Sequence, residues 1–212
     1  LAEQVQNNIL RNVQSNVGDD LDDVYVRAAM LARINSLARG NSAISLENLE
    51  KYVAMYNRGI VPCIPEKGSL GTSGDLGPLA CIALVGTGQW RARYQGQAMP
   101  GAEALRRANI EPMTLSYKEG LALINGTSVM TALAACHVVA AKNLIKAHTL
   151  AACLTLEVLK AKIMPFHPAA HRQKPHPGQI RIADAIYTTL ADSKMIVQDR
   201  QVEAWLRKMA RD

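Results

Sequence analysis

The feature that most constrains the fold is a long stretch, from Ser128 to Lys162, that would be apolar on nearly every side of a helix. It is relieved chiefly by four charged residues: Lys142, Lys146, Glu157 and Lys160. A helix of this kind is typical of the centre of a bundle, because only neighbouring helices can cover all of its sides. A chain of 212 residues has few other helices with which to cover all sides of this one. We therefore expect partner chains, or further parts of the same chain, to cover it.

The composition also favours helices. Hydrophobic residues make up 49% of the chain but aromatic residues only 4%, and Ala and Leu dominate. β-Sandwiches draw on β-branched and aromatic residues, whereas Ala and Leu favour helices. The sequence predicts an all-α fold, a bundle of long antiparallel helices, with residues 1–212 as a single helical segment.

Start and stop signals predict further helices along the chain. Asp22 and Ser45 are N-cap candidates, and Asn57-Arg58-Gly59 is a stop signal. The predicted helices span residues 2–15, 22–39, 45–56, 79–85, 179–190 and 194–211, and residues 118–125 are apolar-rich up to the break at Asn125-Gly126. A short hairpin is expected around Tyr94-Gln95-Gly96, and residues 165–177 are expected to form a loop.

Charge and hydropathy argue against nucleic-acid and membrane functions. The net charge is +6, but Lys and Arg are scattered instead of concentrated on one face, so no nucleic-acid partner is expected. The apolar stretch Leu121–Ala141 contains several polar residues, so a buried core helix is favoured over a membrane span. Residues 1–20 lack the pattern of a signal peptide, and we expect a soluble protein.

Cysteine and histidine spacing gives no metal motif. The four cysteines form no C-x-x-C pair and are expected to be buried reduced thiols of a cytoplasmic protein. His167, His171 and His176 have no carboxylate or cysteine among them at ligand spacing, and prolines interrupt the segment. No metal site is predicted.

A dense run of helix and strand breakers lies in the middle of the chain, between Gly59 and Pro78. The breakers are Pro62, Pro65 and Pro78, with Gly68, Gly71, Gly74 and Gly77 at intervals of three. Neither helix nor strand is expected there. A long structured loop in a helical chain is usually functional. It matches neither common phosphate-binding glycine motif, and the flanking prolines argue against a flexible linker.

The segment Gly71-Thr72-Ser73-Gly74-Asp75-Leu76-Gly77-Pro78-Leu79 resembles the signature of the histidine, phenylalanine and tyrosine ammonia-lyases and related aminomutases. Thr72 stands where Ala is usual, but Thr also occurs in an aminomutase branch. The resemblance implies that Thr72-Ser73-Gly74 cyclises with loss of two waters into a 4-methylidene-imidazol-5-one. It implies no metal and no nucleotide.

Further matches follow in the family's order along the chain. They are Val5-Gln6 through Gly18, Asn35-Ser36-Leu37-Ala38-Arg39-Gly40, Val61-Pro62 through Pro65-Glu66-Lys67-Gly68-Ser69, Glu119-Gly120-Leu121-Ala122-Leu123-Ile124-Asn125-Gly126-Thr127, and His176-Pro177-Gly178-Gln179. Ordered matches spread over most of the chain make coincidence very unlikely. The chain is therefore identified as the central part of a larger lyase-type domain.

The resemblance also assigns roles. Asn125 would lie beside the prosthetic group and the substrate, although a buried Asn before Gly could instead only cap a helix break. The aryl pocket would be lined by five residues: Ile9, Asn12, Val13, Leu76 and Leu121. Gln198 would begin the motif that grips the substrate carboxylate. The family assembles as homotetramers with active sites shared between subunits.

Substrate choice is read from the pocket positions. Histidine lyases carry Ser-His where this chain has Asn12-Val13 and Gln where it has Ser128, whereas phenylalanine lyases carry Phe-Leu at the former pair. An apolar Val13 favours phenylalanine or a related aromatic L-amino acid over histidine. Thr72 favours an aminomutase over a lyase. The alternatives are a histidine ammonia-lyase and a truncated, non-catalytic homologue that only packs or oligomerises.

Two departures from the family pattern concern catalysis. The tyrosine base of the family lies on a loop ahead of the first helix, where this chain begins. After Gln198-Asp199, Gln201 and Ala204 replace the expected Tyr and Arg in direct register, while a shifted register would use Trp205 and Arg207. We expect these 212 residues alone to be catalytically poor or inactive, because a missing base costs orders of magnitude in rate.

Overall fold

The computed structural model describes residues 1–198, and helices carry most of them. The helices are α1 (Ala2–Val13), α2 (Asp23–Leu37), α3 (Leu46–Asn57), α4 (Leu76–Gly86), α5 (Gly101–Arg107), α6 (Glu119–Ile124), α7 (Ser128–Val158), α8 (Pro168–Arg172) and α9 (Pro177–Thr189). The strands are β1 (Val17–Asp20), β2 (Val61–Pro62), β3 (Pro65–Lys67), β4 (Arg91–Tyr94) and β5 (Gln97–Pro100). The predicted all-α class is confirmed, with short strands in addition.

The chain divides into two compact units, Leu1–Val138 and Val139–Asp212, and α7 runs from the first into the second. The core of the first unit is built around α4, in which every residue from Gly77 to Gly86 is buried. Because this run carries no charged side chain, neighbours can cover it on all sides. Helices α1, α3, α5 and α6 all pack against α4.

The predicted helix starts are met to different degrees. Ser45 caps α3 as expected, since its Oγ accepts a hydrogen bond from the Asn48 amide at 3.3 Å. Asp22 occupies the N-cap position of α2, but its side chain makes no capping hydrogen bond. The interior of α2 is therefore better supported by its buried face than by its cap.

Two short strands lie within residues 59–78 and pair with strands elsewhere in the chain. β1 pairs with β3, and β2, β4 and β5 form a second sheet in which β4–β5 is the expected hairpin. The prediction that residues 59–78 contain neither helix nor strand is wrong, because β2, β3 and the start of α4 lie there. These strands depend on partners far away in the chain, which local breakers do not report.

The second unit contains the rest of α7, a 3₁₀ turn at Met164–Phe166, α8 and α9. Its small core consists of Cys153, Ile163, Ile186, Leu190 and Ile196. The expected loop at 165–177 is wrong in part, since Pro168 and Pro177 begin helices, as proline can at a first helical position. The helix expected from Lys194 is absent over residues 194–198, and its remainder lies outside the described residues.

Most of α7 is exposed. Within residues 1–198 it is the one helix whose length and apolar composition would allow it to cross a bilayer, and only 17% of its most apolar window is buried. The described residues therefore do not by themselves bury the core helix expected over Leu121–Ala141. The stretch is divided between α6 and α7, and from Ala134 onward the described residues leave α7 largely uncovered.

The cysteines are free thiols, of which Cys63, Cys81 and Cys153 are buried. Burial raises the pKa of each of these three thiols and keeps them protonated. In the part of the chain that the structure describes, no three His, Cys, Asp or Glu side chains are grouped so that they could hold a metal ion.

Candidate active site

Thr72 and Ser73 form the apex of a tight turn closed by two glycines. The Gly74 amide donates a long hydrogen bond of 3.4 Å to the Gly71 carbonyl. Three of the four φ angles are positive: +75° at Gly71, +64° at Ser73 and +94° at Gly74. Thr72 and Ser73 are exposed, whereas Gly74 is buried. The turn therefore presents its two side chains to solvent and turns its glycine end towards the protein.

The buried end of the turn meets a second glycine. Gly74 and Gly126 form a parallel bridge, and the Asp75 amide donates to the Gly126 carbonyl at 2.7 Å. A Cβ added to Gly74 would overlap the backbone of Gly126. Only glycine permits this approach, which places Asn125, the residue before Gly126, beside the triad.

The residues of the turn have the sequence spacing that the implied ring needs. The Thr72 carbonyl carbon and the Gly74 amide nitrogen are separated by one residue, Ser73, and a bond between them closes a five-membered ring. Positive φ at Ser73 bends the chain, and the Gly74 amide makes the long hydrogen bond to the Gly71 carbonyl. Glycine at position 74 leaves the nitrogen without a neighbouring side chain. These residues fit the group that the signature implies.

The carboxylate of Asp75 fixes the loop. It is 2% exposed and accepts hydrogen bonds from Ser69 Oγ at 2.8 Å and from the Met130 amide at 2.9 Å. The first bond closes the loop on itself, and the second ties it to the first turn of α7. These two bonds argue against the flexible-linker alternative.

Asn125 ends α6. Its backbone amide donates to the Leu121 carbonyl at 2.9 Å, and its ψ of 102° turns the chain out of the helix. The residue as a whole is exposed. The backbone thus performs the capping that was the alternative prediction, while the side chain is left accessible to a ligand.

The residues expected to line the aryl pocket lie on helices that pack against one another. α1 carries Ile9 and Val13, α4 begins with Leu76, and α6 carries Leu121. Each of these three helices packs against the other two. Ile9, Val13 and Leu76 are half-buried and Leu121 is 36% exposed. The arrangement brings apolar side chains of three helices to one part of the first unit, and their contact with substrate stays a prediction.

Two other predicted positions are less informative. Asn12 is exposed on α1 and lines a surface depression with Asn8, Ile9 and Arg11. Gln198 is exposed and belongs to the second unit. The motif that follows it, with Trp205 and Arg207, lies outside the described residues, so its role stays a prediction.

Glu119 was not singled out from the sequence, yet it anchors the segment that leads to Asn125. It is 2% exposed, and its two oxygens accept four hydrogen bonds. The donors are the Ser45 amide (2.8 Å), Asn48 Nδ2 (3.0 Å), the Ser116 amide (2.7 Å) and Ser116 Oγ (3.0 Å). Burial by itself would raise the pKa of this carboxyl, but the hydrogen bonds outweigh it and lower the pKa to about 2.

Arg33 was also missed. Its side chain is buried beneath residues 122–126 and donates to the Ala122 carbonyl. The sequence does contain a signal, because position 33 continues the buried stripe of Val26, Ala29, Met30 and Leu37 on α2. A charged residue on that stripe is unusual, since burial of a guanidinium is costly.

Comparisons with known proteins find similar sequences and a family model that matches. A family model described as aromatic amino acid lyase matches residues 1–207. The histidine ammonia-lyase of Alkaliphilus metalliredigens is 44% identical over 201 residues, which cover 95% of this chain and 40% of that protein.

Solved structures of aromatic amino acid lyases and aminomutases are also similar to this chain. The phenylalanine aminomutase of Pantoea agglomerans is 55% identical with a TM-score of 0.90, over 98% of this chain and 40% of that one. The phenylalanine ammonia-lyase of Rhodosporidium toruloides is 31% identical with a TM-score of 0.85, over 93% and 33%. The chain spans about 40% of the length of the curated relatives that it matches. Matched along almost its whole length by the family model and by these relatives, the chain belongs to the aromatic amino acid lyase family.

Proposed function

We propose that the protein to which this chain belongs is an ammonia-lyase or 2,3-aminomutase for a phenylalanine-like aromatic L-amino acid. The observation that carries this is the bent turn at Thr72-Ser73, whose Gly74 is held against Gly126. Residues 1–212 would be the central part of a larger lyase domain in a cytoplasmic homotetramer whose subunits share active sites.

The turn would supply its own electrophile. The Gly74 nitrogen bonds to the Thr72 carbonyl carbon, and the carbonyl oxygen leaves as water with the amide protons of Ser73 and Gly74. Ser73 then loses its Cα proton and its hydroxyl as a second water, which leaves an exocyclic methylene. That electron-poor carbon supplies the electrophilic chemistry by which the substrate's amino group becomes a better leaving group.

The neighbouring residues would orient the substrate. The accessible side chain of Asn125 is placed to hydrogen-bond a polar group of the substrate beside the turn. Val13, Leu76 and Leu121, together with Ile9 and Asn12, offer a largely apolar surface for an aryl ring. Gln198 is proposed to contribute to recognition of the substrate carboxylate.

Phenylalanine is favoured as the substrate type by two observations. Val13 provides no polar partner for an imidazole, and identity to the phenylalanine aminomutase of Pantoea agglomerans, 55%, exceeds the 44% to the histidine ammonia-lyase. Histidine ammonia-lyase activity is the second candidate, because curated relatives at 43–47% identity carry that name. Faster deamination of histidine than of phenylalanine by the complete purified protein would contradict our choice.

Intact mass tests the electrophile directly. The complete protein is expected to be lighter than its unmodified sequence by two waters, and Ser73→Ala should restore the unmodified mass less the one oxygen of the substitution. Thr72→Ala is the matched control, because it changes the other apex residue but keeps the reacting carbonyl, and its chain should still lose both waters. A wild-type protein that keeps both waters would favour a non-catalytic homologue.

Product analysis separates the two reactions. An aminomutase should convert phenylalanine to β-phenylalanine, whereas a lyase should release cinnamate and ammonia. Thr72 favours the aminomutase through the branch in which Thr occurs at this position. Accumulation of cinnamate with no β-amino acid would show that the lyase activity is the correct one.

A further inference from the structure

The side chain of Arg33 is charged and nevertheless buried. Its residue is 3% exposed, and its Nη2 donates to the Ala122 carbonyl. Its Nε is buried without a hydrogen-bond partner, and among residues 1–198 no carboxylate forms an ion pair with it. Burying a charge without a counter-ion is expensive, and an apolar residue would fill the same space at lower cost.

What Arg33 touches explains its presence. The Ala122 carbonyl belongs to the last turn of α6, where carbonyls have no partner within the helix. A donor there, carrying positive charge, suits the negative end of the helix. Next to this bond, Arg33 Nη1 fills the space where a Cβ of Gly126 would lie. Arg33 therefore contacts both ends of the short segment from Ala122 to Gly126.

That segment is the surface against which the turn is held. The Gly126 carbonyl accepts the Asp75 amide at 2.7 Å and abuts Gly74. If the segment moved, the peptide after Gly74 would lose its acceptor, and the turn would be free to open. An open turn separates the Thr72 carbonyl from the Gly74 nitrogen, so ring closure would lose the advantage of prearranged atoms.

We propose that Arg33 is a positioning residue for formation of the prosthetic group, because it holds residues 122–126 in the place that keeps Gly74 bent for cyclisation. This inference rests on the proposed function. It concerns the making of the electrophile and assigns Arg33 no contact with substrate.

The test compares variants of the complete protein by intact mass at intervals after synthesis, with thermal unfolding recorded in parallel. Arg33→Met keeps an unbranched side chain comparable to the aliphatic part of Arg but removes the guanidinium and its donors. Loss of both waters should become about tenfold slower or more, the effect expected when a charged hydrogen bond that holds reacting atoms is lost. Arg33→Lys keeps the charge and one point donor, and it should recover part of the rate.

Arg27→Met is the matched control. Arg27 lies on the same helix, but it donates to the Tyr56 carbonyl at 3.3 Å and stacks over the Tyr56 ring at 4.6 Å, and neither contact involves residues 122–126. Its replacement should lower the thermal midpoint yet leave the rate of water loss unchanged. A general loss of stability would slow both variants alike, and that outcome would overturn the proposal.

Gly126→Ala tests the same contact from the other side and decides the matter if Arg33→Met does not fold. Within 4 Å its new methyl group would meet only Arg33. We expect it to slow water loss in the wild-type background, and to have a smaller effect when combined with Arg33→Lys, because the two changes disturb one contact. Independent effects of the two substitutions would overturn the proposal.

The outcomes for Arg33 and for the proposed function are separable. A wild-type protein that loses both waters, beside a folded Arg33→Met variant that loses them equally fast, overturns only the role of Arg33. A wild-type protein that keeps both waters overturns the proposed function, and this inference with it.

Discussion

Two buried carboxylates, Asp75 and Glu119, anchor the two segments that meet at Gly74 and Gly126, and they do so differently. Each is 2% exposed. Asp75 accepts one hydrogen bond on each oxygen, from the Ser69 hydroxyl and the Met130 amide. Glu119 accepts two on each oxygen. The glycine-rich loop is therefore lightly bonded by its carboxylate, whereas the segment that starts α6 is held firmly by its own.

The two segments depend on different physical properties of their residues. The loop depends on close backbone fit at Gly74, where even one extra carbon has no room. The α6 segment depends on a charge, since only an ionised carboxylate can accept from all the donors around Glu119. We expect the first to be sensitive to volume and the second to protonation.

The largest effect is expected for Gly74→Ala. The methyl group would overlap the Gly126 backbone and would also force an L-residue to a φ of +94°. Overpacking and left-handed strain together should lower the free energy of unfolding by about 3 kcal/mol or more, measured by denaturant titration of the complete protein. Gly71→Ala is the control, because it has positive φ but nothing within 4 Å of an added Cβ. Equal losses in both variants would show that the close approach to Gly126 is unimportant.

A smaller loss is expected for Glu119→Gln. The NH₂ group of the Gln side chain would face either the Ser45 amide and Asn48 or the Ser116 amide. These groups are donors too, so at least one buried donor must lose its acceptor. We expect a decrease of about 1–3 kcal/mol in the free energy of unfolding. A neutral result would break the comparison, because it would mean that the charge of Glu119 is not needed.

Acid should reveal the same anchor in the wild-type protein. The pKa of Glu119 is lowered in the folded state from 4.5 to about 2. Its contribution to stability is therefore complete above the unfolded value and is lost as the pH falls through that interval towards the folded value. Denaturant titrations across this interval should show a decline that is shallower in Glu119→Gln. Parallel curves for the two proteins would contradict the assignment.

The smallest effect is expected for Asp75→Asn. The amide oxygen can still accept from the Met130 amide while its NH₂ donates to the Ser69 hydroxyl, which can act as an acceptor. The loss should be about 1 kcal/mol or less in the free energy of unfolding, measured as above. A loss greater than that of Glu119→Gln would reverse the comparison between the two segments.

The sequence predicts those parts of the structure that depend on neighbours along the chain. The Ser45 cap of α3 and the hairpin at Tyr94 follow from local residue types, and the structure contains both as expected. The strands at 61–62 and 65–67 were missed because each is completed by a partner distant in sequence. Proline misled in a different way: Pro168 and Pro177 begin helices in a segment where they were expected to prevent them.

The same limit on prediction from the sequence applies to the candidate site. Its triad and Asn125 could be located from a motif, and the helices that carry the expected pocket residues pack together. Its supports could not be assigned in this way, since Arg33 and Glu119 act on segments 89 and 71 residues away in the chain. The helical stripe through Arg33 indicates burial, but only the fold shows what its guanidinium touches.

The positive φ of Ser73 has a stereochemical consequence. In the left-handed region the Cβ of an L-residue crowds the backbone, at a cost of about 1–2 kcal/mol. The proposed loss of water converts Cα of Ser73 from a tetrahedral centre to a trigonal one. Residue 73 is then no longer chiral, and the crowding disappears. The folded precursor would then be strained at the one atom whose geometry the reaction changes, and maturation would relieve that strain irreversibly.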